Sequence, residues 1–168
     1  MASNIQPIKQ VGSVGAWSDG FTYTFPEGAS QSWLIGAPVK FSSGTVVVIS
    51  SVTAPAMAGV AMAAAGGVTQ TNATASAKIA MALGEVIFEV SVDTTTTNNT
   101  AALGTGTPSQ FSIGTSYQML LDSTSGNYYM GSGTGNPVFT LLSYDPGQNS
   151  VVNGRVWVRI LASQTAWT

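Results

Sequence analysis

The sequence predicts an all-β protein: a small antiparallel β-barrel or sandwich with an extended N-terminal arm and long loops. Short runs of β-branched and aromatic residues recur along the 168-residue chain, and segments rich in Gly, Asn and Pro separate them. No stretch shows the apolar spacing of an amphipathic helix. A chain of this length buries roughly 70% of the surface that its unfolded form exposes, so one core is sufficient. We therefore predict an arm over residues 1–20 and a single β-rich domain over residues 21–168.

The predicted arm carries isolated large apolar side chains, among them Ile8 and Trp17, between small and polar residues. Such a pattern is consistent with a frayed terminus or with an ordered arm that docks Trp17 on a partner. The domain then begins with residues 21–25, in which aromatic residues alternate with Thr until Pro26. This alternation predicts the first strand of the domain.

Two apolar runs at residues 36–41 and 45–49 flank Ser43 and Gly44, which predicts a β-hairpin. The following segment, residues 56–65, is rich in Ala and Met, which favour helix, but Gly59 in its middle disfavours it. We predict a strand of small side chains that packs close to another backbone.

Residues 78–83 and 85–92 are predicted to form the next two strands. The second places Val and Phe on one face and Glu85, Glu89 and Asp93 on the other. Two carboxylates about 5 to 10 Å apart can hydrolyse glycosides, so a hydrolase is one alternative. Acidic residues on the solvent face of a strand are the commoner arrangement, and we expect these three there.

Residues 93–109 follow as a Thr-, Asn- and Gly-rich loop, either flexible or ordered by another subunit.

The sequence of the C-terminal third predicts two antiparallel pairs of strands. Residues 118–121 should pair with residues 127–130, and residues 138–144 with residues 155–161. In the last strand Val156, Val158 and Ile160 should face the core, and Arg155, Trp157 and Arg159 the opposite side. Trp flanked by Arg is typical of protein interfaces, and it also occurs in sugar-stacking platforms. A third alternative is that a loop of the same chain covers this face, with the Arg stems over the indole. The candidate interface residues are Trp17, Arg155, Trp157 and Arg159.

Charged residues make up only 7% of the chain, and the net charge is −2. Five Lys and Arg in total cannot form the basic stripe that phosphate backbones require, so we expect no nucleic-acid partner. The chain has no Cys and no His, which excludes disulfides, thiolate nucleophiles, Cys or His zinc sites and a Ser-His-Asp triad. The Gly-rich residues 131–135 lack the Lys of a phosphate-binding loop. We expect no enzyme activity, no cofactor and no metal.

The most apolar window, residues 56–68, is broken by glycines and falls short of the roughly 20 residues that cross a bilayer. The first residues lack the basic and apolar regions of a signal peptide. We therefore expect no membrane partner and synthesis in a cytoplasm.

The order of several short motifs resembles that of the capsid decoration, or cement, proteins of tailed bacteriophages, over residues 33–162. Each motif is short, and their order is more specific than any one of them. They are GAPV at 36–39, SG at 43–44 before a valine run, AGVA at 58–61, VIFE at 86–89, YQML at 117–120, Asp122 with SGNYY at 125–129, DP at 145–146 and NGRV at 153–156.

The resemblance implies a small, β-rich structural protein of the virion that is commonly a homotrimer. Such a protein binds the outer surface of the expanded capsid and bridges neighbouring major capsid protein subunits. The protein would be made in the cytoplasm of a host bacterium. The alternative function is another β-rich virion module, such as the base of a head fibre or a carbohydrate-binding domain that uses Trp157, Trp17 or Trp167.

Overall fold

A computed structural model describes residues 5–10, 21–50, 52–53, 55–65, 76–96, 99–100 and 103–167 of the chain. The described residues are mostly β-strand, loop and turn, with two short 3-10 turns at Pro108–Gln110 and Ala162–Gln164. The predicted all-β class is therefore confirmed. The strands are β1 Gln6–Gln10, β2 Thr22–Pro26, β3 Pro38–Ser42, β4 Thr45–Val48, β5 Gly59–Ala61, β6 Ser76–Met81, β7 Val86–Asp93, β8 Asn99–Thr100, β9 Ser116–Tyr117, β10 Met119–Asp122, β11 Tyr128–Gly131, β12 Phe139–Tyr144 and β13 Arg155–Ile160.

The larger sheet is organised around β7, its longest strand. The strand order is β8-β10-β11-β7-β13-β12-β9, and β1 also pairs with β7. On one side β7 is antiparallel to β13. On the other side its first residues pair with β1 in antiparallel fashion, and Val92 and Asp93 pair with β11 in parallel fashion. Because β7 has paired neighbours along both edges, it lies in the interior of the sheet.

The smaller sheet has the order β2-β6-β5-β3-β4 and curls back on itself. Glu27, directly after β2, forms a parallel bridge with Val46 of β4, and the Gly28 amide donates to the Val46 carbonyl over 2.8 Å. Since β2 and β4 are the two ends of the sheet, this bridge brings its edges together. The five strands therefore form a curled, half-barrel sheet, called the barrel below, as the predicted barrel-or-sandwich class allows.

The Ala- and Met-rich segment contributes the short strand β5, as the sequence predicted. A Cβ atom placed on Gly59 would lie 2.2 Å from the carbonyl oxygen of Ala80 on β6. Only glycine therefore permits this pairing of β5 with β6. The predicted hairpin of β3 and β4 is also present, and Ser43 and Gly44 at its turn both have positive φ, 50° and 80°. These values are those of the type I′ turn that favours tight hairpins.

One hydrophobic core draws residues from both sheets. Val156, Val158 and Ile160 are fully buried, as are the four apolar residues that β7 directs to the same side. The C-terminal segment closes the barrel, because the Trp167 indole packs against Phe25 and Phe41 with ring centroids 6.3 Å and 5.2 Å away. The predicted core face of the last strand is therefore confirmed.

Two predicted segments occupy defined positions in part. Residues 5–10 of the predicted arm enter the larger sheet through β1, with Ile5 fully buried. In the predicted flexible loop over residues 93–109, the Gly106 carbonyl accepts a hydrogen bond of 2.7 Å from the main-chain N–H of Asn153. Thus the described part of this loop lies against the segment that precedes β13.

Candidate functional site

The outward face of β13 carries the candidate interface residues. Arg155, Trp157 and Arg159 alternate with the three buried apolar residues of the strand. Arg155 lies opposite Ser91 of β7, Trp157 lies opposite Glu89, and Arg159 lies opposite Thr140 of β12. The three side chains therefore share one face, although their surroundings differ.

Arg155 connects two carboxylates. Its Nη1 atom donates to Glu89 Oε1 over 2.9 Å, and its Nη2 atom lies 2.9 Å from Asp145 Oδ2 in the turn after β12. The second contact is an ion pair by distance, but its angles are not those of a hydrogen bond. The Arg155 side chain is 41% exposed, whereas both carboxylate side chains are largely covered. Arg155 is thus held by its own chain.

Burial raises the pKa of the Glu89 carboxyl above its ordinary value, because removal from water disfavours the charged form. The positive charge of Arg155 and its hydrogen bond lower the pKa, and the negative charge of Asp145 raises it, so the net change is upward. The carboxylates of Glu89 and Asp145 share the guanidinium of Arg155, and this single positive charge does not fully offset their two negative charges.

Trp157 lies between β7 and β12 on this face, with Glu89 and Ser143 as its cross-strand neighbours. The residue is half-buried, and within the described part of the chain its indole N–H has no hydrogen-bond acceptor. The Ser91 hydroxyl on the same face is also buried without a partner among these residues. The ring of Trp157 is therefore only partly available to a partner.

Arg159 is the exposed member of the set. Its neighbour Thr140 shares a hydroxyl hydrogen bond of 2.9 Å with Ser116 of β9, so uncharged polar groups surround this part of the sheet. No ion pair of Arg159 occurs among the residues that the structure describes. Its guanidinium can therefore bind an acidic group of another molecule.

The expected solvent exposure of three carboxylates is correct for Glu85 and wrong for Glu89 and Asp93. Asp93 is fully buried, accepting hydrogen bonds from the Thr95 amide over 2.7 Å and from Asn153 Nδ2 over 3.2 Å. Loops cover the face of β7 that the alternation assigned to solvent. Four residues along a strand span about 13 Å, so Glu89 and Asp93 are farther apart than the carboxylates of a glycosidase.

The Gly-rich residues 131–135 wrap around the amide side chain of Gln118. The main-chain N–H of Gln118 donates to the Gly133 carbonyl over 2.8 Å, and a Cβ on Gly133 would lie 2.4 Å from Gln118 Oε1. Gln118 Nε2 also donates to the Thr96 carbonyl over 2.6 Å. The glycines therefore serve local packing around a buried amide.

The other tryptophans of the carbohydrate hypothesis have different positions. Trp17 lies outside the described residues. Trp167 donates its indole N–H to the Ala58 carbonyl over 2.6 Å and packs on Phe25 and Phe41. Trp167 is therefore part of the packing of the barrel, and these contacts reduce the ring surface on which a sugar could stack.

The pairing of Glu89 and Asp145 with Arg155 was not predicted from the sequence. The local pattern marks Arg155 as a candidate interface residue and Glu89 as a carboxylate on the same face as Glu85, but nothing local indicates that β7 and β13 are neighbours. Among the described residues, no group of three or more Asp and Glu lies together as metal ligands would. The described helices also include none with the length and apolar character needed to cross a bilayer.

No protein-family profile matches this chain, and a search of curated proteins gives no significant match.

Proposed function

We propose that this chain is a structural protein of a bacteriophage virion that binds the outer surface of the capsid and cements neighbouring major capsid protein subunits. The observation that carries the proposal is the outward face of β13, where the exposed Arg159 and the half-buried Trp157 stand on a sheet whose other face is core. Trp and Arg are the residues most enriched at the energetic centres of protein interfaces. The ordered motifs over residues 33–162 supply the choice of partner.

Cementing needs no chemistry at the contact. A protein that binds the expanded lattice and not its dissociated subunits stabilises the shell by mass action. In this proposal Arg159 pairs with an acidic group of the capsid protein, and Trp157 supplies apolar area beside it. Arg155 acts indirectly, since its ion pairs with Glu89 and Asp145 hold the surface from which Trp157 projects.

The experiment is co-sedimentation of the purified protein with expanded capsids that lack decoration. The Arg159→Glu variant tests the face without removing buried atoms, and Trp157→Ala tests the aromatic contribution. Tyr23→Ala is the matched control, because Tyr23 is an exposed aromatic residue, 51% accessible, on the smaller sheet. We expect both β13 variants to bind capsids at least tenfold more weakly and the control to bind normally.

Failure of the unmodified protein to sediment with intact shells would count decisively against the cementing role. In that event, glycan binding that is lost in Trp157→Ala would favour the alternative, a carbohydrate-binding virion module. A Trp157→Ala variant that is only less stable, with normal binding, would assign Trp157 to packing within the chain.

We further propose that the chain forms a homotrimer. Only 7% of its residues are charged, so copies repel one another weakly, and the resemblance to decoration proteins implies three-fold assembly. Light scattering of the purified protein should give three times the chain mass of 17.2 kDa. A monomer mass at micromolar concentration, both free and after release from capsids, would refute the trimer.

A further inference from the structure

An apolar pocket of about 370 Å³ lies where the barrel meets the larger sheet. The barrel contributes Trp33 and Val48, and the larger sheet contributes Leu121 of β10 and Tyr128 of β11. Leu34 stands at the opening and is 53% exposed. The pocket thus combines buried aromatic and aliphatic walls with an accessible apolar residue at its mouth.

The polar atoms of the aromatic walls are already used. Trp33 donates its indole N–H to the Ala63 carbonyl over 3.0 Å, and Tyr128 donates its hydroxyl to the Ile49 carbonyl over 2.6 Å. The described lining residues include no Asp, Glu, Lys or Arg. Ser32 and Ser50 are exposed lining residues with hydroxyl groups. The walls therefore offer apolar contact, and hydrogen bonding is available from these hydroxyls.

The volume decides what size of molecule fits. Ligand pockets in proteins usually measure about 300 to 1,000 Å³ and are lined mainly by apolar and aromatic side chains with a few polar groups. An apolar cavity of about 150 Å³ is large enough to take up benzene. A pocket of about 370 Å³ can therefore accommodate a two-ring molecule.

We propose that this pocket binds an uncharged, mainly apolar molecule of one or two rings that carries a hydroxyl-type group. The rings lie between Trp33 and Leu121, and the polar group reaches Ser32 or Ser50 at the opening. A charged group is disfavoured, because the lining holds no counter-charge and the group would give up part of its water even at the opening. This site lies apart from the β13 face and does not depend on the proposed capsid function.

The probes are 2-naphthol and 2-naphthoate at pH 7, which share a ring system and differ in charge. Isothermal titration calorimetry of the full chain should show saturable binding of one 2-naphthol per chain. Binding of 2-naphthoate should be at least tenfold weaker. Absence of saturable 2-naphthol binding, or equal affinity for the two probes, would overturn the proposal.

Substitutions at the opening of the pocket test whether 2-naphthol binds there. Ser50→Trp places an indole in the opening and should weaken 2-naphthol binding at least tenfold, whereas Ser112→Trp, an exposed serine outside the pocket lining, should not change it. Leu34→Asp puts a charge at the mouth on an already exposed position, so it should weaken binding without unfolding the chain. Full-affinity binding in Leu34→Asp, or in a folded Ser50→Trp, would show that 2-naphthol binds elsewhere and would refute the assignment.

Discussion

The hydroxyl of Tyr128 donates a hydrogen bond of 2.6 Å to the main-chain carbonyl of Ile49. Tyr128 belongs to β11 of the larger sheet, and Ile49 directly follows β4 of the barrel. Both residues are buried, with exposed fractions of 3% and 1%. The bond therefore links the two sheets at the wall of the pocket, with both partners shielded from solvent.

Replacing Tyr128 with Phe should destabilise the protein by about 1–2 kcal/mol. The substitution leaves the Ile49 carbonyl buried without this donor, and an unsatisfied buried acceptor costs about 1–3 kcal/mol. Urea unfolding followed by circular dichroism measures the change. Tyr23→Phe is the control, since Tyr23 is 51% exposed, and it should alter the free energy of unfolding by less than about 0.5 kcal/mol. Equal effects of the two substitutions would contradict a stabilising bond between the sheets.

Stability should also decrease at alkaline pH because of Tyr128. Burial raises the pKa of its hydroxyl from 10.0 to about 12. Since the folded protein binds this proton more tightly, the stabilisation is complete below pH 10 and is lost as the pH rises towards 12. Each pKa unit corresponds to about 1.4 kcal/mol. Urea unfolding at pH 9, 10 and 11 should show a smaller decrease in Tyr128→Phe than in the unmodified chain, and parallel curves would refute the assignment.

Gly59→Ala should disrupt the pairing of β5 with β6. The added Cβ would lie 2.2 Å from the Ala80 carbonyl oxygen, which belongs to the backbone and cannot rotate away. Forced overpacking typically costs about 1–3 kcal/mol, and we expect the upper part of that range. Gly84→Ala is the matched control, because a Cβ at Gly84 meets no atom within 4 Å. Thermal unfolding of both variants tests the prediction, and equal midpoints would show that the strands can move apart.

The sequence predicts the local elements of this fold well. Gly44 favours a two-residue hairpin through its tolerance of positive φ, and strict alternation in β13 predicts its buried face. Even the tight β5 could be predicted, since Gly59 among small residues indicates close contact with another backbone. Each of these features depends on residues that are near one another in the chain.

The burial of Glu89 and Asp93 could not be predicted in the same way. Alternation along β7 shows which side chains share a face, but it does not show what covers that face. Arg155 reaches Glu89 because β13 pairs with β7, and Asn153 reaches Asp93 from the segment before β13. Both contacts join residues about 60 positions apart in the chain. The long-range topology decides them, and no local pattern in the sequence specifies it.

Glu89→Gln should make the protein more stable at pH 7, and equal stability of the variant and the unmodified chain at both pH 4 and pH 7 would contradict this. Because burial raises the pKa of Glu89, the unmodified chain loses stability as the pH rises from below 4.5 through the higher pKa of the folded state. Glutamine has nearly the same shape, stays neutral and can still accept the hydrogen bond from Arg155. The two proteins should therefore have similar stability at pH 4 and diverge in favour of the variant towards pH 7, as measured by urea unfolding.

Arg155→Met should have the opposite effect, because it leaves Glu89 and Asp145 without their shared positive charge. Breaking a fully buried ion pair costs about 3–5 kcal/mol, and the partial exposure of Arg155 reduces this to about 2 kcal/mol. Arg159→Met is the matched control on the same face, and its effect should stay below about 0.5 kcal/mol, because Arg159 is exposed and pairs with no described residue.

In the double variant Glu89→Gln with Arg155→Met, the loss of stability should be smaller than in Arg155→Met alone. A loss of the same size would show that Arg155 stabilises the sheet through its ion pair with Asp145 and not through Glu89, since methionine retains most of the aliphatic stem.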